Sequence, residues 1–485
     1  MKKLHFLLST MLVAMLMAVN PVQADNIDLQ KAKQLGAYYL GVQSGTKSMT
    51  EADLTLVYQI PNVDQNIPAL YFFNSSNGGS IVMSGSDCVS PVISYSSEEP
   101  IEIDHMAPAM LWYYLEFAKQ VVAAQNANLT AKAEVSAEWK DLENHRVAAP
   151  SGAKSIYNTI KSVWGQDYPY NNLCPTIRDT HCVTGCVATA MAQIVKYWEY
   201  PTSGTGTIKY YWDEGYTYLK MKLDTVTFNY DKMPDTAFRG YYYTCNWTDE
   251  QIYETAKLNY ACGLVNHMGY GIDGSGAAGR VYTKDAFTTY FKYDASTIKA
   301  ADRSSKTDEQ WKEMLKTELK NKRPVYYAAA DPTSAGGDAR HAFIITGYNT
   351  DNDRVRVNWG WDGSGNSTWF KIMEYQLNQS GYYFTDEHYA IWGIKPPSTE
   401  IRDMETVEEE AMPAYPNPAH TWVSIPYVLN GANSALLQIF SVDGRMMEQR
   451  EVFANADKAN INVESYPKGI YVYRINGKAS KFVVE

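Results

Sequence analysis

The chain has 485 residues, with 45% hydrophobic and 20% charged residues, a composition typical of a globular protein of two to four domains. Its formal net charge of −11 argues against a nucleic-acid partner, because no excess of Lys and Arg is available to neutralise phosphates. Six cysteines are too few for a disulfide scaffold in a chain of this length.

Residues 1–24 have the pattern of a secretory signal peptide. Lys2 and Lys3 precede an apolar run from Phe6 to Val19, and small residues follow at Val22-Gln23-Ala24. The apolar run is too short to span a membrane comfortably, and no later run approaches ~20 apolar residues. We therefore expect an exported, soluble mature protein.

An α+β unit is predicted for residues 25–150. Apolar residues at helical spacing begin it, namely Leu29, Ala32, Leu35 and Tyr39. Alternating residues at 54–58 indicate a strand, and the turn Asn77-Gly78-Gly79 indicates a hairpin. A helical stretch from Met106 to about Ala149 ends in small and polar residues that are typical of a linker and cleavage region.

Three further segments follow. Residues 151–397 contain nearly all the candidate catalytic side chains, and residues 398–412 form an acidic linker whose like charges favour an extended chain. Residues 413–485 contain short alternating strands separated by turns at Asp443-Gly444 and Pro467-Lys468-Gly469, which predict a small antiparallel sandwich.

Cys186 is the candidate nucleophile. It follows Gly185 and begins a stretch with apolar residues on one helical face, which ends before Pro201. The positive end of a helix dipole favours a thiolate over a thiol, and a glycine allows a substrate backbone to come close. Alone, Cys186 could equally be a small apolar residue at the start of a buried helix.

His341 and Asn358 complete a candidate catalytic group. His341 begins an apolar strand 155 residues after Cys186, and Asn358 lies 17 residues further on, in a second strand beyond the turn at 351–353. This chain order is that of papain-like peptidases. His341 would accept the thiol proton, Asn358 would orient the imidazole, and Trp359 would shield that hydrogen bond from water.

Gln166 fits a third catalytic role, because a side-chain amide beside the Cys186 backbone N–H could stabilise the tetrahedral oxyanion. A glycine-rich segment, residues 269–279, satisfies the dinucleotide-binding pattern twice but follows a helix rather than a strand. We interpret it as a loop beside the cleft, which contacts substrate through Ser275 and Gly276. Cys182-x3-Cys186 lacks a second ligand pair for zinc, so we predict neither a metal nor a cofactor.

The motifs together resemble those of the streptopain family of cysteine peptidases. The resemblance covers most of residues 150–396 and is carried by the segments Trp164–Asn171, Thr184–Gln193, His341–Phe343 and Val357–Trp361. It implies a papain-like α+β domain, synthesis as a zymogen, and endopeptidase activity favouring a hydrophobic residue second on the N-terminal side of the cut. It also assigns the nucleophile to Cys186, the base to His341, the oxyanion donor to Gln166 and the His-supporting pair to Asn358 and Trp359.

Residues 25–150 resemble the prodomain of that family, through segments at 71–74, 78–79 and 91–96. The resemblance implies that this segment folds against the active site as an intramolecular inhibitor. Asn74 matches a position that could reach the site, although it could equally be a turn residue of the hairpin. Cys182 departs from the family pattern, and the sequence leaves open a disulfide to Cys174 or oxidative trapping of Cys186.

Residues 413–485 resemble the sorting domains of proteins exported by the type IX system of Bacteroidetes, through Tyr415–Pro418, Ile439–Arg445 and Lys468–Arg474. This implies type IX machinery as a partner, passage through the periplasm, and release or attachment at the cell surface.

The sequence therefore predicts a secreted cysteine endopeptidase made as a zymogen, with protein or peptide substrates and with self-processing. Two alternatives remain open at this point. One is another Cys–His enzyme that shares acyl-thioester chemistry, such as a cell-wall amidase or a transglutaminase-like acyltransferase. The other is a non-catalytic surface adhesin that keeps the fold.

Overall fold

The computed structural model describes residues 25–45, 49–127, 129–149, 155–157, 160–237, 245–330, 340–371, 388–397, 414–427, 434–441, 445–453, 458–475 and 478–485. The chain divides into two compact units, one ending at Ser398 and the other spanning Thr399–Glu485. The predicted signal peptide and acidic linker lie outside the described residues. None of the helices in the described ranges is long and apolar enough to span a membrane.

The helices of the first unit are α1 Leu29–Ser44, α2 Pro108–Ala127, α3 Ala133–Glu143, α4 Cys186–Trp198, α5 Asp249–Val265, α6 Gly279–Asp285 and α7 Asp308–Lys320. Their ends follow from the local sequence. The Asp28 side chain caps α1 by accepting from the Lys31 N–H, while Thr248 and Thr307 begin α5 and α7 with capping boxes. These caps satisfy backbone N–H groups that have no partner inside the helix.

The prediction of one continuous helical stretch between Met106 and about Ala149 is wrong. The stretch contains two helices, because α2 ends at Ala127 and α3 begins at Ala133. The N–H of Leu129 donates to the carbonyl of Ala124, and the Leu129 side chain is buried. Burial of this side chain turns the chain out of the helix, so tertiary packing overrides the local periodicity.

The strands of the first unit are β1 Leu54–Asn62, β2 Ile67–Ser75, β3 Ser80–Ser84, β4 Val92–Ser96, β5 Ser155–Tyr157, β6 Thr176–Ile177, β7 Thr180–His181, β8 Thr207–Trp212, β9 Thr217–Lys222, β10 Lys299–Asp302, β11 Val325–Ala330, β12 Arg340–Asn349, β13 Arg354–Asn358, β14 Trp369–Lys371 and β15 Tyr389–Trp392. The predicted hairpins at 71–83 and 340–358 are confirmed as β2–β3 and β12–β13. The hairpins β6–β7 and β8–β9 stand apart from the main sheet.

One sheet runs through both the segment predicted as a prodomain and the segment predicted as catalytic. Its order is β1-β2-β3-β4-β14-β13-β12-β11-β15-β10, with β5 also pairing with β12. The junction is the antiparallel pair β4–β14, in which Tyr95 lies opposite Trp369. The described residues from 25 to 397 therefore belong to one compact unit, in which the two predicted segments share a sheet.

Two hydrophobic cores among the described residues of this unit lie beside the candidate catalytic side chains. One surrounds α4 and includes Val187, Met191 and Ile194, the apolar face that the periodicity predicts. The other lies between α2 and the sheet, and combines side chains of both segments, namely Tyr113, Tyr114, Phe117, Phe343, Trp359 and Phe370. Removing residues 25–150 would expose part of this second core to water.

The second unit is an antiparallel β-domain, as predicted. Its strands are β16 Trp422–Pro426, β17 Ser434–Ser441, β18 Met446–Phe453, β19 Lys458–Asn462, β20 Gly469–Ile475 and β21 Lys478–Val484. They form the sheets β16–β19 and β18-β17-β20-β21, whose inward residues share one core. The predicted turn at Asp443-Gly444 lies outside the described residues.

Candidate active site

Cys186 is the first residue of α4 and is half-buried. The preceding Gly185 has φ of 82°, and a Cβ built there would lie 2.8 Å from the Met268 side chain and 2.9 Å from the Ser275 carbonyl oxygen. Only glycine fits this position without strain, because of both its positive φ and its close neighbours. The turn thus places the Cys186 thiol at the positive end of the helix.

His341 lies on β12 and is hydrogen-bonded to the Cys186 side chain. Its Nε2 lies 3.0 Å from the backbone carbonyl oxygen of Trp359. A carbonyl can only accept, so Nε2 carries a proton and Nδ1 is the ring nitrogen that faces the thiol. This tautomer leaves Nδ1 free to accept the thiol proton.

The electrostatics of the pair favour the charged forms. Burial acts to raise the pKa of Cys186, but the charge and hydrogen bond of His341, with smaller contributions from the Ala342 and Val187 N–H groups, leave it below its ordinary value. Burial likewise acts to lower the pKa of His341. The Cys186 charge and hydrogen bond and the Trp359 carbonyl outweigh it and raise that pKa. Both shifts favour a thiolate–imidazolium pair.

Asn358 does not occupy its predicted place on the imidazole. In the register of β12 and β13 it lies opposite Ile344, and its Nδ2 donates to the Ser162 carbonyl at 2.8 Å and to Gln193 Oε1 at 3.0 Å. Its Oδ1 accepts from the Gly360 N–H at 3.0 Å. The acceptor for His341 is instead the neighbouring backbone carbonyl, that of Trp359.

Trp359 contributes its backbone carbonyl to the site, a role that differs from the predicted one, in which its side chain shields the hydrogen bond of His341 from water. Its side chain is 1% exposed, with ring centroids 5.0 Å from Phe343 and 5.1 Å from Phe370. The indole anchors the residue in the second core while its carbonyl points to His341. Packing of the side chain thereby fixes the direction of a backbone acceptor.

Gln166 is buried close to the nucleophile. Its backbone carbonyl accepts from the Thr184 N–H at 3.0 Å, which ties it to the residues immediately before Cys186. A Cβ at Gly165 would lie 2.6 Å from the Asp362 carboxylate, so a larger residue there would require that side chain to move. The placement suits an oxyanion donor, and that role remains a prediction.

The glycine-rich loop lies beside Gly185, but several of its polar groups form hydrogen bonds within the protein. Ser275 Oγ donates to the Val183 carbonyl at 2.6 Å and accepts from the Gly271 N–H at 3.0 Å. Gly276 and Gly269 exchange two backbone hydrogen bonds. The N–H of Gly276 would have to leave this bridge to reach a substrate, so contacts from Ser275 and Gly276 to substrate stay predictions.

The remaining sequence-based candidates take structural positions. The Asn74 amide exchanges two hydrogen bonds with the backbone of Ile101, inside the segment 25–150. Cys174 and Cys182 are both buried thiols that flank the β6–β7 hairpin, with no disulfide between them. Among the described residues, no group of three or more His, Cys, Asp or Glu side chains is arranged to hold a metal ion.

The segment 25–150 is hydrogen-bonded to the loop that follows Trp359. The Glu99 carboxylate accepts from the Gly365 N–H at 2.9 Å and from the Ser367 N–H at 3.1 Å, and Ser364 Oγ donates to the His105 carbonyl. Burial raises the pKa of Glu99 above its ordinary value, although both N–H groups oppose this. Sequence reasoning missed this contact, since backbone N–H donors have no side-chain signature.

Three protein-family models match separate parts of the chain. The Spi protease inhibitor model matches residues 24–122, the Peptidase C10 family model matches residues 164–370, and the Secretion system C-terminal sorting domain model matches residues 413–485. The second match contains Gln166, Cys186, His341 and Asn358.

Individual relatives agree with these matches. The thiol protease/hemagglutinin PrtT of Porphyromonas gingivalis is 26% identical over 82% of this chain, which spans 45% of the length of PrtT. Streptopain of Streptococcus pyogenes is 26% identical, with 80% of this chain and 98% of streptopain covered.

Interpain A of Prevotella intermedia is represented by two solved structures. A prointerpain A fragment has a TM-score of 0.56 and 26% identity, covering 71% of this chain and 99% of the fragment. The active protease is 33% identical, covering 50% of this chain and 96% of that protein, with a TM-score of 0.43.

Proposed function

Because the chain belongs to the Peptidase C10 family, the streptopain family of cysteine proteases, we propose that its mature form hydrolyses peptide bonds within proteins through Cys186. The observation that carries this proposal is the pairing of Cys186 with His341 at the N-terminus of α4, with His341 Nε2 held by the Trp359 carbonyl. A merely structural cysteine would not need such a partner.

The proposed reaction uses groups already in place. The Cys186 thiolate attacks the scissile carbonyl carbon, and the resulting oxyanion accepts hydrogen bonds from the Cys186 N–H and the Gln166 side-chain amide. His341 Nδ1 then gives its proton to the leaving amine, which departs as the acyl-enzyme forms. Water, deprotonated by the same nitrogen, attacks the thioester, and collapse releases the carboxylic acid and the thiolate.

Residues 25–150 are proposed to keep the precursor latent. Their match to an inhibitor model agrees with a zymogen, and the contact from Glu99 to Gly365 and Ser367 acts on the loop beside the Trp359 carbonyl. Self-processing in the region 144–154, between α3 and β5, would release them. The sorting domain indicates secretion, and we propose export by the type IX system with release at, or attachment to, the cell surface.

The test is hydrolysis of casein and maturation of the full chain, compared among the parent and two variants. Cys186→Ala should abolish both, whereas Cys262→Ala, which removes a fully buried thiol from the core, should retain both if it folds. The inhibitor E-64 should stop casein hydrolysis by the parent. Hydrolysis of peptidoglycan without hydrolysis of casein would support the amidase alternative, and normal maturation of Cys186→Ala without turnover by the parent would support the adhesin.

A further inference from the structure

Gln193 is a fully buried side chain seven residues after Cys186, on the same helix. Two turns of an α-helix take about seven residues, so both side chains lie on one side of α4. Sequence spacing alone does not identify Gln193 as a catalytic candidate, because a helical Gln is ordinarily a surface residue. Burial of a primary amide demands hydrogen-bond partners, and those partners belong to the catalytic segments.

The first partner is Asn358, with which Gln193 forms a reciprocal amide pair. Gln193 Nε2 donates to Asn358 Oδ1 at 3.3 Å, and Asn358 Nδ2 donates to Gln193 Oε1 at 3.0 Å. Asn358 Oδ1 also accepts from the Gly360 N–H. The pair thus holds the residues on both sides of Trp359, whose carbonyl is the acceptor for His341.

The second partner is the backbone N–H of Trp164, which donates to Gln193 Oε1 at 3.1 Å. Trp164 is two residues before Gln166, and its buried indole is fixed by a further bond to the Pro234 carbonyl. Gln193 Oε1 therefore accepts from two different segments of the chain. One carries the candidate oxyanion donor and the other carries the support for the catalytic base.

We propose that Gln193 is a positioning residue that fixes the His341 acceptor and the Gln166 segment relative to the nucleophile on the same helix. This inference rests on the proposed peptidase function. Loss of the amide allows the Trp359 carbonyl to move away from His341 Nε2, which destabilises the imidazolium and, through it, the Cys186 thiolate. A displacement of about 1 Å in a catalytic group is enough to lower a rate about 100-fold.

The experiment uses the full chain carrying Gln193→Met, which keeps the length of the side chain and removes all three hydrogen bonds. The first readout is the rate of self-processing, expected to fall about 100-fold. The second is the pH dependence of Cys186 alkylation by iodoacetamide, measured on the Cys186 peptide by mass spectrometry. Its midpoint should move upward by about one pH unit, a tenfold loss of thiolate in the acid range.

Asn259→Leu is the matched control. Asn259 is likewise a buried amide in a helix, and its Nδ2 donates to the Thr255 carbonyl within α5. This variant should lose stability but keep the alkylation midpoint of the parent. An unchanged midpoint and processing rate in a folded Gln193→Met chain, or an equal shift in the control, would overturn the inference.

A second variant covers the case in which Gln193→Met fails to fold. Gln193→Glu keeps the acceptor for the Trp164 N–H and Asn358 Nδ2 but cannot donate to Asn358 Oδ1. Processing should fall about tenfold, and a rate equal to that of the parent would count against the inference. The two proposals can fail separately. If the parent neither matures nor cleaves casein, but Gln193→Met still shifts the alkylation midpoint of Cys186, the proposed function fails and the positioning role of Gln193 stands.

Discussion

Replacing Glu99 by glutamine tests how the prodomain holds the loop that follows Trp359. The carboxylate accepts hydrogen bonds from the N–H groups of Gly365 and Ser367. Glutamine keeps one acceptor oxygen but places its NH₂ group against the second N–H, so that two donors face each other. Hydrogen bonds to charged groups contribute about 1.5–3 kcal/mol each, and we therefore expect Glu99→Gln to weaken the contact by about 2 kcal/mol.

Amide hydrogen exchange measures this loss directly. In a full chain carrying Cys186→Ala, which prevents self-processing, protection of the Gly365 and Ser367 amides should fall about 30-fold, because about 1.4 kcal/mol corresponds to a factor of ten. Glu98→Gln is the control, since its carboxylate is 63% exposed and 3.6 Å from Arg356. Unchanged protection at both amides in a folded Glu99→Gln chain would refute the contact.

Three further predictions concern the same interface and the catalytic pair. Tyr113→Phe removes a hydroxyl that donates to a carbonyl of β14, so this variant should process itself faster and lose about 1 kcal/mol of unfolding free energy. Tyr114→Phe is the control, because it loses a hydrogen bond inside the prodomain and should not speed self-processing. Burial acts to raise the pKa of Glu138, but its lysine partner on β14 lowers it overall. Its stabilisation of about 1 kcal/mol after solvent screening should be present at pH 7 and lost as the pH falls below the ordinary pKa of a glutamate, so urea unfolding of Glu138→Gln should differ from the parent only at the higher pH. The lowered pKa of Cys186 and the raised pKa of His341 predict how kcat/KM for a peptide substrate depends on pH: it should rise on the acid side of neutrality and fall on the alkaline side. A rise in kcat/KM only near the ordinary thiol pKa would contradict the ion pair.

Local sequence patterns predicted the elements that carry the nucleophile and the base. Gly185 followed by an apolar helical face predicts the turn and α4, and the residues at 351–353 predict the β12–β13 hairpin. These features depend on neighbouring residues only. Propensity and periodicity are therefore sufficient to identify them.

The acceptor for His341 could not be predicted in the same way. Every residue has a backbone carbonyl, and its direction at Trp359 depends on packing of the indole and on the register that places Asn358 opposite Ile344. The importance of Gln193 depends equally on long-range pairing. The same holds for β4 and β14, whose pairing joins the prodomain to the catalytic sheet across more than half of the chain.

Active-site titration of the mature enzyme with E-64 tests the central claim most directly. Casein hydrolysis should decline in proportion to the inhibitor and reach zero at one equivalent, and the thioether adduct should map to the peptide that contains Cys186. Complete labelling of Cys186 with hydrolysis retained would contradict the account, as would complete inhibition with the adduct on a different cysteine.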